Sequence, residues 1–198
     1  MGEDDVAVQF DLLVKPSGRT AILMPSGFVL DLLQPDATGM PIEDIAQCLS
    51  AQPRWGGATR PWYSVAEHSV MVSRLVPPDL AYDGLMHDCE EFIGDWPSPV
   101  KVLLDLAYVK EKFRPLKLAL SRRFGFRPEL AVVKQADLVA MATELRDLLP
   151  VHWMDWGHLP PPAPQRIEPV GPRQAYRLFL ERYDELKHLA RPLRRRHR

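Results

Sequence analysis

The chain has 198 residues, which is long enough for one domain with a sizeable hydrophobic core. Hydrophobic residues make up 46% and charged residues 26%, and the formal net charge of −1 argues against a protein whose main partner is nucleic acid. Cys48 and Cys89 are isolated, so neither a disulfide framework nor a cysteine metal site is expected. No apolar run is long enough to span a bilayer. We therefore expect a cytoplasmic protein without a membrane partner.

The first third of the chain predicts a small β element followed by helices. Two apolar runs around a Pro-Ser-Gly turn predict a β-hairpin over residues 20–33, preceded by an N-terminal arm over residues 1–19. Residues 41–50 place apolar side chains on one face of a short helix. Ser64, followed three residues later by Glu67, forms a capping box that opens the next helix.

Prolines and glycines set the expected boundaries of the middle helices. Asp79 is the predicted N-cap of a helix that continues to Gly94. Ser98 is the predicted N-cap of a segment that extends toward Gly125. We expect Pro115 to kink or divide this segment, because proline removes a backbone donor and clashes with the preceding turn.

Two further helices are predicted in the last third of the chain. Pro128 begins a long amphipathic helix, and a proline-rich surface connection over residues 150–170 separates it from a last helix that begins at Pro172. Residues 191–198 are a basic tail, which we interpret as a disordered, solvated terminus. The sequence thus predicts a single domain over residues 1–198, all-α apart from the hairpin.

Two imidazoles and two carboxylates fall on three of these helices, among apolar side chains. His68 shares the apolar face of its helix, Asp88 follows His87 on the next helix, and Asp137 lies on the buried face of the long helix. Such a nitrogen and oxygen set suits one divalent transition metal, namely Zn²⁺, Co²⁺, Mn²⁺, Fe²⁺ or Ni²⁺. The alternative is two separate buried ion pairs, for example His68–Asp137.

Other polar residues suit chemistry on a phosphate ester. Glu91 lies four residues after His87, and Asp95 directly follows the glycine that ends the predicted helix. Two carboxylates in different environments can divide the roles of acid and base. Both are therefore candidate catalytic residues.

A second group of residues is suited to holding a nucleotide. Arg54 offers a fork of donors to phosphate, and Trp55 offers a face on which a base can stack, while Gly57 leaves space for a base edge. Ser98 and Lys101 lie at a predicted helix N-terminus, which favours anions. Without a ligand, the alternative for the Arg-Trp pair is a surface arginine lying on a core tryptophan.

The ordered set of these motifs resembles the HD-domain phosphohydrolase superfamily, in particular the branch of bacterial 5′-deoxynucleotidases and phage dATP triphosphohydrolases. The resemblance covers nearly the whole chain and rests on Arg54-Trp55, His68, His87-Asp88-x-x-Glu91, Gly94-Asp95-x-Pro97-x-Pro99-x-Lys101 and Asp137. It implies an HD-domain helical bundle in which the two histidines and two aspartates hold the metal. It also implies that Arg54 and Trp55 contact the nucleotide.

The resemblance implies a metal-dependent enzyme that cleaves the 5′-phosphoester of deoxynucleotides. A dNTP would give a deoxynucleoside and triphosphate, and a dNMP a deoxynucleoside and phosphate. We expect purines to be preferred because of Trp55 and the open glycines after it, Mg²⁺ to accompany the phosphate chain, and the chain to form a homo-oligomer. The alternatives are a non-catalytic nucleotide- or metal-sensing HD module, and an HD phosphodiesterase acting on alarmones or cyclic dinucleotides.

Overall fold

A computed structural model describes residues 19–150, 156–157 and 159–191. The protein is mostly helical with one antiparallel two-stranded hairpin, which confirms the predicted all-α fold with a small β element. Most of the predicted N-terminal arm and of the basic tail lie outside the described residues. None of the described helices combines the length and the apolar character needed to cross a membrane.

The hairpin and the helices follow one another in the predicted order. Strands β1 (Ala21–Leu23) and β2 (Val29–Asp31) pair with Ile22 opposite Leu30. The α-helices are α1 (Ile42–Ala51), α2 (Val65–Leu75), α3 (Ala81–Met86), α4 (Ser98–Leu103), α5 (Leu106–Phe124), α6 (Ala131–Leu148) and α7 (Pro172–Leu186). Short 3-10 helices occupy Arg54–Gly57, Pro78–Leu80, Cys89–Ile93 and Lys187–Leu189.

Helix α2 lies at the centre of the molecule and packs against α1, α3, α6 and α7. Its predicted capping box is present, since Ser64 Oγ accepts from the Glu67 amide and Glu67 Oε2 accepts from the Ser64 amide. Helices α2 and α3 approach closely at Gly84, where a Cβ atom would lie 3.1 Å from the Cα atom of Ser73. This tight packing fixes the end of α3, and with it the position of the His-Asp pair.

The predicted continuous helix from Asp79 to Gly94 is wrong. The segment forms the 3-10 helix Pro78–Leu80, then α3, then the 3-10 helix Cys89–Ile93, and Asp79 lies inside the first of these rather than at an N-cap. Helix α3 ends at Met86, and His87 and Asp88 lie in the turn between α3 and the second 3-10 helix. In a continuous helix these two side chains would diverge by about 100°, whereas the turn brings both to one point.

The division expected at Pro115 occurs about ten residues earlier. Helix α5 continues through Pro115, and the chain breaks between α4 and α5 at Asp105, which has a φ of 62°. Asp105 Oδ1 accepts hydrogen bonds from the amides of Ala107 and Tyr108, so this side chain caps α5. Ser98 is the first residue of α4 rather than its N-cap, which is Pro97.

The long helix near the C-terminus begins later than predicted. Helix α6 starts at Ala131, because Glu129 has a φ of 62°, outside the helical region. Its end at Leu148 agrees with the predicted stop before Pro150. Helix α7 begins at Pro172 as expected, and Ala175, Phe179 and Leu186 are its buried residues.

Candidate functional site

The four predicted metal ligands meet at one point between α2, the turn after α3, and α6. One ligand atom from each of His68, His87, Asp88 and Asp137 lies within 4.8 Å of all the others. His68 Nε2 is 3.2 Å from Asp137 Oδ1 and 3.6 Å from Asp88 Oδ2, and His87 Nε2 is 3.0 Å from Asp88 Oδ2. The alternative of two separate ion pairs does not describe this arrangement, and the cluster could hold a metal ion.

Both imidazoles are oriented with the same nitrogen toward the centre of this cluster. His87 Nδ1 donates to the Gly84 carbonyl at 2.8 Å, and His68 Nδ1 lies 2.6 Å from Glu144 Oε1. A carbonyl or carboxylate at Nδ1 favours a proton there, so that the neutral form of each ring has its lone pair on Nε2. Both Nε2 atoms are buried, and neither makes a well-oriented hydrogen bond to a described residue although carboxylate oxygens lie 3.0 to 3.2 Å away. This is the orientation of metal-ligating histidines.

Carboxylates outnumber the cationic side chains around the cluster. Five carboxylates lie within it or next to it, namely Asp88, Glu91, Asp95, Asp137 and Glu144. Three cationic side chains contact them, namely Arg54, Lys101 and Lys134. With neutral imidazoles and ionised carboxylates the group carries two negative charges in excess, which either bound protons or a divalent cation would neutralise.

The surplus of carboxylates also changes proton affinities at the site. Burial and Arg54 lower the pKa of His68, but Glu144 and Asp137 outweigh them and raise it to about 10. Burial raises the pKa of Glu91 well above its ordinary value, and the neighbouring Asp88 and Asp95 add to this effect. Because ligands bind metals in their deprotonated forms, a metal would compete with protons for this cluster.

Glu144 is a site residue that the sequence analysis missed. It is fully buried on α6 and accepts three contacts, from His68 Nδ1 at 2.6 Å, Trp55 Nε1 at 2.7 Å and Arg54 Nη2 at 3.2 Å. The available signal was its position seven residues after Asp137, which places both carboxylates on one face of a helix. Glu144 thus fixes a predicted metal ligand and the Arg-Trp pair at the same time.

The Arg54-Trp55 pair is attached to the carboxylates of the site. Arg54 is only 8% exposed, and its Nη1 lies 3.1 Å from Asp95 and 3.8 Å from Glu91. Trp55 is half-buried, and its ring packs edge-on against Trp156. Buried Arg54 therefore does not fit the alternative of a surface arginine lying on a core tryptophan.

A cavity of about 630 Å³ opens beside the cluster. The predicted site residues that line it are His87, Asp88, Glu91, Lys101 and Asp137. The predicted site residues outside its described lining are Arg54, Trp55, Gly57, His68 and Asp95. At Gly57 a Cβ atom would meet open space, as expected for an unobstructed patch, but Gly57 is not among the described lining residues of this cavity.

The walls of the cavity combine aromatic and basic side chains. Trp96 and Phe113 form an edge-to-face pair with ring centroids 5.6 Å apart. The cationic side chains of the lining are Lys101, Lys110, Arg114, Lys117, Arg127 and Lys134. Apart from Lys101, the sequence analysis did not assign any of these residues to the site.

No family model matches the chain. Over 158 residues the chain is 38% identical to the uncharacterized protein YfdR of Escherichia coli (strain K12), and this alignment covers 75% of the chain and 85% of YfdR. The chain belongs to the family of YfdR. It is also 36% identical over 140 residues to the uncharacterized protein RCAP_rcc00048 of Rhodobacter capsulatus, covering 63% of the chain and 71% of that protein. Neither name states an activity, so evidence for function comes from the site.

Proposed function

We propose that the chain is a metal-dependent phosphohydrolase of the HD-domain superfamily that hydrolyses the 5′-phosphoester of deoxynucleotides. The observation that carries this proposal is the meeting of two unpartnered imidazole nitrogens with two carboxylates at the wall of a cavity lined by cationic side chains. Nitrogen and oxygen donors suit a divalent transition metal, and cationic walls suit a phosphate-bearing substrate. The order of the sequence motifs supports the same superfamily.

His68, His87, Asp88 and Asp137 would hold the metal, which would neutralise negative charge on a phosphoryl oxygen. Phosphate-ester cleavage otherwise requires mainly positioning and charge neutralisation from the protein. The water oxygen forms a bond to phosphorus, and the bond from that phosphorus to the 5′-oxygen breaks. The released electron pair stays on the 5′-oxygen, which takes up a proton. A side chain beside the reacting phosphorus that accepts a proton from the water and donates a proton to the 5′-oxygen would therefore assist the reaction.

Glu91 is the best candidate for that group. It lines the cavity, and its Oε2 atom is buried without a hydrogen-bond partner among the described residues. Its Oε1 atom lies 3.3 Å from Lys101 Nζ. A carboxyl group whose pKa is raised by burial and by like charges is suited to proton transfer near neutral pH. A cavity-lining carboxyl group with an oxygen that makes no hydrogen bond to a described residue also favours an enzyme over a module that only senses a nucleotide or a metal.

Asp95 and Arg54 have a supporting position in this proposal. Asp95 is buried and binds Arg54 Nη1, and Arg54 in turn lies next to Glu91. We therefore assign Asp95 to positioning Arg54, whose charge would stabilise Glu91 and the phosphate. The purine preference depends on Trp55 reaching the base, and it stays a prediction.

The direct test is to incubate the purified chain with each dNTP and dNMP in the presence of Co²⁺ or Mn²⁺ and to separate the products. We expect release of a deoxynucleoside together with triphosphate or phosphate, abolished by a chelator and restored by added metal. Glu91→Gln is the matched inactive control, since it keeps the size of the side chain and removes its proton transfer. Absence of nucleoside release from every nucleotide with every metal would overturn the proposal.

A further inference from the structure

Helix α5 presents a row of basic side chains to the cavity beside the metal cluster. We infer that this row binds a phosphate chain, so that the site selects nucleoside 5′-triphosphates over monophosphates. The inference rests on the proposed function for the reaction itself. Its physical basis, an extended polyanion site next to the cluster, can be tested without turnover.

The spacing of the row matches an extended ligand. Lys110, Arg114 and Lys117 are four and three residues apart, which places them on one face of α5, and all three line the cavity. At about 1.5 Å per residue they extend over roughly 10 Å of helix. Lys117 marks the inner end, because it pairs with Glu90, two residues after Asp88 of the metal cluster. A single phosphoryl group at the cluster could not reach the outer end of the row.

The outer two cations of the row are available to a ligand. Lys117 is paired with Glu90, with 2.6 Å between Nζ and Oε1. Lys110 and Arg114 form no ion pair with any carboxylate in the described part of the chain, and both are exposed at the cavity. Lys112 lies between them in sequence but outside the cavity lining, with its Nζ over the Tyr108 ring.

The charge of the cavity also favours a long polyanion. Its lining holds six cationic side chains and five carboxylates, the latter being Asp88, Glu90, Glu91, Glu129 and Asp137. The lining therefore has one positive charge in excess, and a divalent ion at the cluster would raise the excess to three. A phosphomonoester carries only about 1.5 to 2 negative charges at neutral pH. The additional phosphoryl groups of a triphosphate would bring the negative charge that balances the remaining positive charge of the lining.

The functional test compares the mono-, di- and triphosphate of one deoxynucleoside as substrates. The double variant Lys110→Ala/Arg114→Ala should lower kcat/KM for the triphosphate by about tenfold or more and leave the monophosphate within about twofold. Lys112→Ala is the matched control, since it removes one charge from the same helix outside the cavity and should change neither value. Both target side chains are exposed, so the fold should be retained, which a melting curve verifies.

A binding test separates this inference from the proposed function. Calorimetry of the full chain, with and without Mn²⁺, would compare inorganic tripolyphosphate with inorganic phosphate. The inference is supported if tripolyphosphate binds more tightly than phosphate, and if this preference is lost in the double variant and kept in Lys112→Ala. Should the same protein hydrolyse no nucleotide, the proposed function fails while the inference about polyanion binding stands. Equal binding of the two probes, or equal losses of binding in the double variant and in Lys112→Ala, would overturn the inference. A wild-type kcat/KM that is higher for the nucleoside monophosphate than for the triphosphate would also overturn it.

Discussion

Two aspartates on α6, ten residues apart, have opposite surroundings. Asp147 accepts from four donors, namely Arg146 Nε at 2.7 Å, Arg146 Nη2 at 2.8 Å, Arg166 Nη1, and the Ile167 amide at 3.0 Å. Asp137 binds one exposed cation, Lys134, and its other oxygen lies 3.2 Å from His68 Nε2 without a well-oriented hydrogen bond. One carboxylate is saturated by the protein, and the other is not.

The difference separates a structural network from a candidate binding site. The Asp147 network ties α6 to residues 163–167, and Arg146 completes it by donating to the carbonyls of Ala163 and Gln165. Buried polar groups in native proteins are nearly always satisfied, so unpaired nitrogens among surplus carboxylates require a reason. A bound cation would supply that reason at Asp137, while none is needed at Asp147.

The largest expected effect distinguishes these two aspartates by activity. Asp137→Asn should remove nearly all turnover, a loss well beyond the roughly 10–100-fold that outer partners of a metal ligand cost. Asp147→Asn, the same change on the same helix, should leave kcat within about twofold because its carboxylate contacts only protein donors. Steady-state kinetics of the two purified variants measure the contrast. Equal losses of kcat in the two variants would show that both aspartates affect turnover only through the stability of the fold.

Glu91→Gln should keep the bound metal but lower kcat by something like 10²–10⁴-fold, the usual scale for a positioned acid or base. The amide retains the size of the side chain and the contact with Lys101, so folding should not change. The measurement is kcat together with metal content for the same sample. Near-normal turnover would transfer the proton role to another group.

Glu144→Gln should weaken metal binding by about 10–100-fold, because the amide orients His68 less firmly than a carboxylate does. The readout is the metal dissociation constant, which a purely structural role would not change. Asp147→Asn is again the control on α6. An unchanged dissociation constant would restrict Glu144 to holding Arg54 and Trp55.

Much of the fold was predictable because its signals are local. The Ser64–Glu67 capping box and the hairpin need only neighbouring residues, and both are present. The break at Asp105 was missed because no proline or glycine stands beside it, and a single aspartate N-cap is a weaker sequence signal than Pro115 inside a helix.

The candidate site was predictable only in part. His68 and Asp137 stood out as polar residues among apolar neighbours at helical spacing. Glu144 has the same spacing but was not recognised, because a single glutamate on a helix normally faces solvent. The basic row on α5 becomes part of a site only when α5 packs beside residues 89–93, which is tertiary information that no local pattern contains.

A smaller effect concerns pH and the Asp147 network. Hydrogen bonds from Arg146 and from the Ile167 amide hold the pKa of Asp147 below its ordinary value. A lowered pKa in the folded state gives stability that is present above about pH 4, the unfolded value, and is lost as the pH falls toward the folded value. Asp147→Asn should therefore cost about 1–2 kcal/mol in the free energy of unfolding at pH 7 and less at pH 3. Urea unfolding at both pH values measures this, and a constant difference would exclude the ionised carboxylate as the cause.

The most direct test of the metal centre is a titration of chelator-treated protein with Co²⁺, followed by its visible absorption and by elemental analysis. The wild type and Asp147→Asn should each bind one ion per chain with a ligand-field spectrum. His87→Ala and Asp137→Asn should lose both the ion and the spectrum, since each removes an atom of the cluster. A wild-type chain that binds no stoichiometric metal, or an Asp137→Asn chain that binds it equally well, would contradict the proposed centre.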